Sequence, residues 1–152
     1  MKKGQCGLGM IEILVALLVL SVGLLGLAAM QVTSTKMTSL SQQKTQAIIL
    51  ANDMIERVRA NRGDAGDYDG IDAKSSDSCE TDFTPPGGNV AAKDGAEWTN
   101  SLRCLLANGT GDVSVDTGDR EVTVDMEWDT RMDTTDDGFV DNQGTLSVTG
   151  RY

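Results

Sequence analysis

Apolar and polar positions divide the chain into three regimes. Ile13 to Met30 is 18 residues without a charge, and the apolar run reaches 23 when counted from Leu8. That length matches a helix able to cross a membrane. From Gln31 to Arg62 there is neither proline nor glycine, and apolar residues return at Leu40, Ile48, Ala51, Ile55 and Val58, close to the spacing of one helical stripe. Arg57, Arg59 and Arg62 suit the negative pole of a helix end, and Gly63 can cap it. The pattern predicts one helix from Leu8 to Arg62, roughly 80 Å long at about 1.5 Å per residue. Its first half is apolar all round and its second half amphipathic.

Beyond Gly63 the pattern changes. Gly63 to Gly88 is rich in Gly, Asp and Ser and ends in Pro85-Pro86-Gly87-Gly88, which reads as a long loop. A loop of that length inside a compact domain needs a pin. Asp94 with Glu97 three residues on has the form of a capping box for a short helix, with Trp98, Leu102, Leu105 and Leu106 on one face. Trp98 is read as a core anchor, because its apolar partners sit at helical spacing. Alternation then returns in "DVSVD", in "REVTVDMEWD" over Val122, Val124, Met126 and Trp128, and in "GTLSVTGRY" over Leu146 and Val148. These strands predict an α+β head in which an antiparallel sheet of three to four strands packs one face on the amphipathic helix.

Charge adds a direction. Lys2 and Lys3 precede the apolar run and nearly all the acid follows residue 50, for a net charge of −10. A basic end before the run and an acidic bulk beyond it suit a cytoplasmic N-terminus and a translocated head. The acidic balance also argues against nucleic acid as a partner, since phosphates would be repelled. Of the three cysteines, Cys6 lies before the run while Cys79 and Cys104 lie beyond it. In an oxidising compartment a Cys79–Cys104 disulfide is the simplest pairing, and Cys79 is then the pin for the loop. A reactive or metal-binding thiol pair is the alternative, but no CxxC and no histidine accompanies either residue.

The apolar run admits three readings: a cleaved secretory signal, a plain membrane anchor, and a segment cut ahead of the run. A secretory signal requires a shorter apolar core and no acid near its start. A plain anchor explains the length but leaves Glu12 unexplained, because a carboxylate in hydrocarbon costs several kcal/mol. The third reading accommodates both. "KKGQCG" is a short basic leader ending in Gly7, and "LGMIEILVALLVL" follows with Glu12 five residues after that glycine.

These residues resemble the class III signal of type IV prepilins and of type II secretion pseudopilins. Leu8 stands where that family usually has phenylalanine, while the glycine and the acid keep their places. The resemblance implies that a membrane prepilin peptidase cuts after Gly7, that Leu8 becomes the N-methylated end, and that Glu12 serves assembly. An α-amino group is cationic near neutral pH, so Glu12 of one subunit and the amine of a neighbour would neutralise each other. The plainer alternative is that Glu12 snorkels to the interface and favours the helix N-terminus. "ERVRAN" at Glu56 to Asn61, after a start reading "IEILVALLVLSVGLLGLA", is similar to PilV-type minor pilins.

The expected organisation is a leader over 1–7, a transmembrane and assembly helix over 8–30, an amphipathic continuation over 31–62, and a head over 63–152. The resemblance implies a type IV pilin-like fold, an inner-membrane subunit with a periplasmic head, and later residence in a pilus at the cell surface. Implied partners are other minor pilins, the major pilin, the prepilin peptidase and the inner-membrane assembly platform. Two rival readings stay open: a pseudopilin of a type II secretion system, and a membrane-anchored binding protein whose acidic head is the working part and could bind calcium.

Little in the chain suggests catalysis. There is no histidine, hence no His-based triad, imidazole acid/base chemistry or His metal ligand. No phosphate-binding GxxxxGK[ST] is present, and the paired carboxylates sit in loops without an apolar pocket to raise one pKa. No enzyme activity, cofactor or resident metal is expected. "DTTDDGFVDNQG", Asp133 to Gly144, resembles part of an EF-hand loop, but position twelve is Gly144 where a bidentate Glu belongs. A solvated acidic turn is the preferred reading there.

Overall fold

A computed structural model describes residues 9–74, 78–130 and 143–152. Helix α1 runs Met10–Ala60, followed by a 3₁₀ segment Arg62–Tyr68 and a short strand β1, Ile71–Ala73. Helix α2 is Val90–Leu105, and strands β2 (Thr110–Asp116), β3 (Glu121–Asp129) and β4 (Gln143–Arg151) complete the fold. The chain divides into two units, residues 1–39 and 40–152.

In the first unit, the α1 residues from Met10 to Ser39 are exposed without exception. Hydroxyls in this stretch fold back on the helix: Ser21 Oγ donates to Leu17 O, Thr33 Oγ1 to Ala29 O and Thr35 Oγ1 to Gln31 O. Polar groups that bond their own backbone cost less in an apolar environment.

The second unit is a layered α+β head. Its four strands form one antiparallel sheet in the order β1-β2-β3-β4, with α2 inside the connection from β1 to β2. Ala47, Leu50, Ala51, Met54, Ile55 and Val58 make the buried stripe of α1. They share a core with Trp98 and Leu102 of α2 and with Val113, Val122, Val124, Met126 and Trp128 of the sheet. Alternation in β3 follows the pleat, since Val122, Val124, Met126 and Trp128 are buried while the residues between them face outward. Trp98 satisfies its indole N–H by donating to Leu50 O at 3.0 Å, which ties α2 to α1. The sheet admits these rings because Gly111 lies under Trp98, where a Cβ would come within 2.5 Å of Cη2, and Gly144 lies under Trp128.

Several local expectations are corrected. Helix α2 starts at Val90 rather than near Asp94, capped by Asn89, whose Oδ1 accepts from Ala92 N at 2.9 Å. Asp94 and Glu97 therefore lie inside the helix and are used sideways. Leu105 is exposed, whereas Leu106, just past the helix end, is buried. Helix α1 ends at Ala60, and Gly63 falls within the 3₁₀ segment instead of capping α1. Ile71–Ala73, inside the segment read as loop, adds the fourth strand; three residues are too few for alternation to register.

Candidate functional site

The first turn of α1 holds the acid singled out by the sequence. Glu12 N donates to Gly9 O at 2.9 Å and Ile13 N to the same oxygen at 3.4 Å, so helical bonding begins at Gly9. Glu12 is thereby set among the first orphan N–H groups, where the helix dipole favours negative charge. Around it Met10, Ile11, Ile13, Leu14 and Val15 are all at least half exposed. Further along, a Cβ added at Gly23 or Gly26 would meet nothing within 4 Å, so neither glycine serves packing against the described residues of this chain. Gly7 and Leu8 lie outside the described residues, as do residues 133–142 of the EF-hand-like stretch.

A second constellation holds the head together where α1 ends. Arg57 Nε donates to Asp53 Oδ2 at 2.9 Å, and its Nη1 reaches Asp94 Oδ1 at 2.8 Å and Glu97 Oε2 at 3.0 Å. Tyr68 donates its hydroxyl to the other Asp94 oxygen at 2.6 Å. One carboxylate thus links α1, the 3₁₀ segment and α2. Burial alone would lower the Arg57 pKa, but the hydrogen bonds to Glu97, Asp53 and Asp94 outweigh it and hold the pKa above its ordinary value. Burial, reinforced by the bond to Asp94, pushes the Tyr68 phenol up to about 12. The sequence pattern places Arg57 only at the negative pole of a helix end and assigns Tyr68 no role, because no periodic signal joins residues this far apart.

The loop after β1 is tied to α2. Cys79 and Cys104 form a disulfide with a Cα–Cα distance of 4.8 Å. Beside it Asn100 bonds the loop backbone in both directions, donating to Glu80 O and accepting from Glu80 N, each at 3.0 Å. Arg103 adds bonds to Lys74 O.

On the outer face of the sheet, Asp72, Asp112 and Asp125 stand side by side across β1, β2 and β3. Burial, then the neighbouring carboxylates of Asp72, Asp125 and Asp69, raise the pKa of Asp112. Among the described residues no group of three or more acidic or cysteine side chains has the arrangement of a metal site.

Two family profiles match the chain. Residues 2–28 match the prokaryotic N-terminal methylation motif, and residues 29–97 match the profile described as type IV pilin Tt1218. Comparison with curated proteins and with solved structures gives no match. The two matched segments adjoin, and together they take in Glu12, all of α1, the 3₁₀ segment and the Arg57, Asp94 and Glu97 contacts. The type IV pilins are structural subunits that assemble with other pilins and with the pilus machinery. With an apolar α1 suited to membrane anchorage and the amphipathic half of that helix packed on a four-stranded antiparallel sheet, the chain belongs to the type IV pilins.

Proposed function

We propose that the protein is a minor pilin, similar to the PilV type, that enters type IV pilus assembly or its priming after processing by a prepilin peptidase. In this reading the peptidase cuts between Gly7 and Leu8, Leu8 is methylated, and the subunit waits in the inner membrane with its head in the periplasm. It then joins other minor pilins and the major pilin through the assembly platform. The observation that carries the proposal is the methylation motif over 2–28 with Glu12 in the first helical turn, surrounded by exposed apolar residues.

The chemistry required is charge neutralisation. An ionised carboxylate in lipid is costly, and an α-amino group freed at Leu8 is cationic near neutral pH. Pairing Glu12 with a neighbour's amine removes both costs together and favours one stagger between subunits. The apolar helix is then soluble in lipid before assembly and buried against other helices after it.

Intact mass of the membrane-extracted protein tests the processing. A start at Leu8, carrying a methyl group, is expected; a start at Met1 or Ala29 would sink the proposal. Glu12→Ala should leave membrane insertion intact and remove the subunit from sheared fibres. Undiminished incorporation of that variant would refute the pairing role.

A further inference from the structure

β4 is the long edge of the sheet, and its sequence is close to a palindrome. Around Ser147, "GTLSVTG" places Leu146 opposite Val148 in class, Thr145 opposite Thr149, and Gly144 opposite Gly150. We propose that β4 pairs antiparallel with β4 of a second copy about a two-fold axis at Ser147, joining the two sheets edge to edge.

The backbone is set for that register. Tyr152 N donates to Arg120 O on the β3 side, whereas Arg151 O accepts from Arg59 Nε on the other side. Successive residues in an antiparallel ladder direct their peptide groups to alternate sides. The β3–β4 register is unbroken from Glu121↔Arg151 to Asp129↔Gln143. Gln143, Thr145, Ser147 and Thr149 therefore direct N–H and C=O outward, and among the described residues no strand pairs with that side. Pairing about Ser147 makes Ser147 a hydrogen-bonded pair with itself and Thr145 one with Thr149 of the second copy. That gives about six new ladder bonds.

The side chains agree with the backbone. Edge strands are normally guarded by charge, proline or shortness. β4 has no acid and no proline, and Arg151 at its end is its only charge. The opposite edge, β1, is three residues long and carries Asp72. Self-pairing there would stack aspartates, whereas at β4 each Asp125 lies next to Ser147 in register. Two copies of Asp125 would then be three strand spacings apart, roughly 14 Å, beyond a Debye length of about 8 Å. On the inner face, half-buried Leu146 and Val148 would cover each other's exposed edges, and on the outer face threonines would meet, a favourable cross-strand pair. The pair closes on itself by symmetry, so both β4 edges are consumed.

Cross-linking of the full chain in detergent, in a Cys6→Ser background, tests the register. Ser147→Cys puts the two thiols about 5.5 Å apart by Cα, within reach of a short bismaleimide. Thr145→Cys puts its two copies roughly 14 Å apart along the strands. At least tenfold more dimer from Ser147→Cys than from Thr145→Cys is expected, with efficient mixed dimer between Thr145→Cys and Thr149→Cys proteins. Ser147→Glu, at an exposed position, should keep its near-UV circular dichroism and lose dimer mass in sedimentation. Equal yields from Ser147→Cys and Thr145→Cys, no dimer, or adducts only with a different polypeptide in whole cells would each overturn the proposal.

Discussion

Arg57 shows how one side chain can hold several elements. Its guanidinium serves carboxylates at Asp53, Asp94 and Glu97, with side-chain exposure of only 26% for Arg57 and 20% for Asp94. Substituting Arg57→Met keeps the apolar stem but leaves Asp94 with Tyr68 as its described hydrogen-bond donor. Removing one partner of a partly buried ion pair leaves the other charge uncompensated, so a loss of about 1–3 kcal/mol is expected in urea unfolding of the head. An unchanged midpoint would mean that water replaces the guanidinium without cost. Asp112 has the opposite sign. Like charges directly opposite in a sheet are destabilising, and Asp72 and Asp125 flank it in register. Its folded pKa is raised, so the folded state binds more protons than the unfolded state between the two pKa values, and stability falls as pH rises through that window. Asp112→Asn should therefore stabilise the head at pH 7 by a few tenths to about 1 kcal/mol. The advantage should vanish below the ordinary aspartate pKa of about 3.9; a gain that persists at low pH would indicate a cause other than charge.

At the scale of elements, the long loop depends on its ties to α2. Replacing both Cys79 and Cys104 by serine should destabilise the head by roughly 3 kcal/mol on the chain-entropy account, read as a lower melting temperature. The Asn100 bonds to Glu80 would remain, so partial loop protection against protease is expected even in that variant. Unchanged melting would assign the pinning to Asn100 and Arg103. What the sequence disclosed here follows from range. The apolar run, the Ala51, Ile55 and Val58 positions of the α1 stripe and the alternation in β3 are local periodicities, and the Glu12 spacing is a local motif, so these could be read directly. Ile48, by contrast, was read into the stripe but is exposed, and Ala47, Leu50 and Met54 are buried in its place. Asn89 was hidden because "GGNV" offers no Glu or Gln at capping-box spacing, while Asp94 and Glu97 supplied a decoy. The link from Arg57 to Asp94 and Tyr68 and the grip of Asn100 on Glu80 depend on how α2 lies against the rest of the head, which no window of sequence contains. Gly111 and Gly144 were similarly opaque, since their value lies in the rings of Trp98 and Trp128 placed over them.

For the whole molecule, the decisive asymmetry is where the core begins. Its first buried residue is Ala47, and every other member lies later in the chain. From Met10 to Ser39 no side chain is buried, and the hydroxyls described there bond their own helix. The second part of α1 thus draws stability from the head core, whereas the first, under the proposed function, would draw it from lipid or neighbouring helices, because an isolated apolar helix has nothing in water to pack against. Among the described residues, deleting 1–39 removes no core residue and no sheet residue, and it leaves both disulfide cysteines in place. The shortened chain, starting at Leu40, should therefore be soluble without detergent. It should keep the near-UV circular dichroism of buried Trp98 and Trp128 and unfold in a single cooperative transition. Its melting temperature should lie within a few degrees of the head transition of the full chain, since about 1 kcal/mol corresponds to roughly 4–8 °C in a domain of this size. A truncated protein that expresses but lacks near-UV structure would show that the head takes stability from the apolar half of α1, and the division of labour along the helix would have to be abandoned.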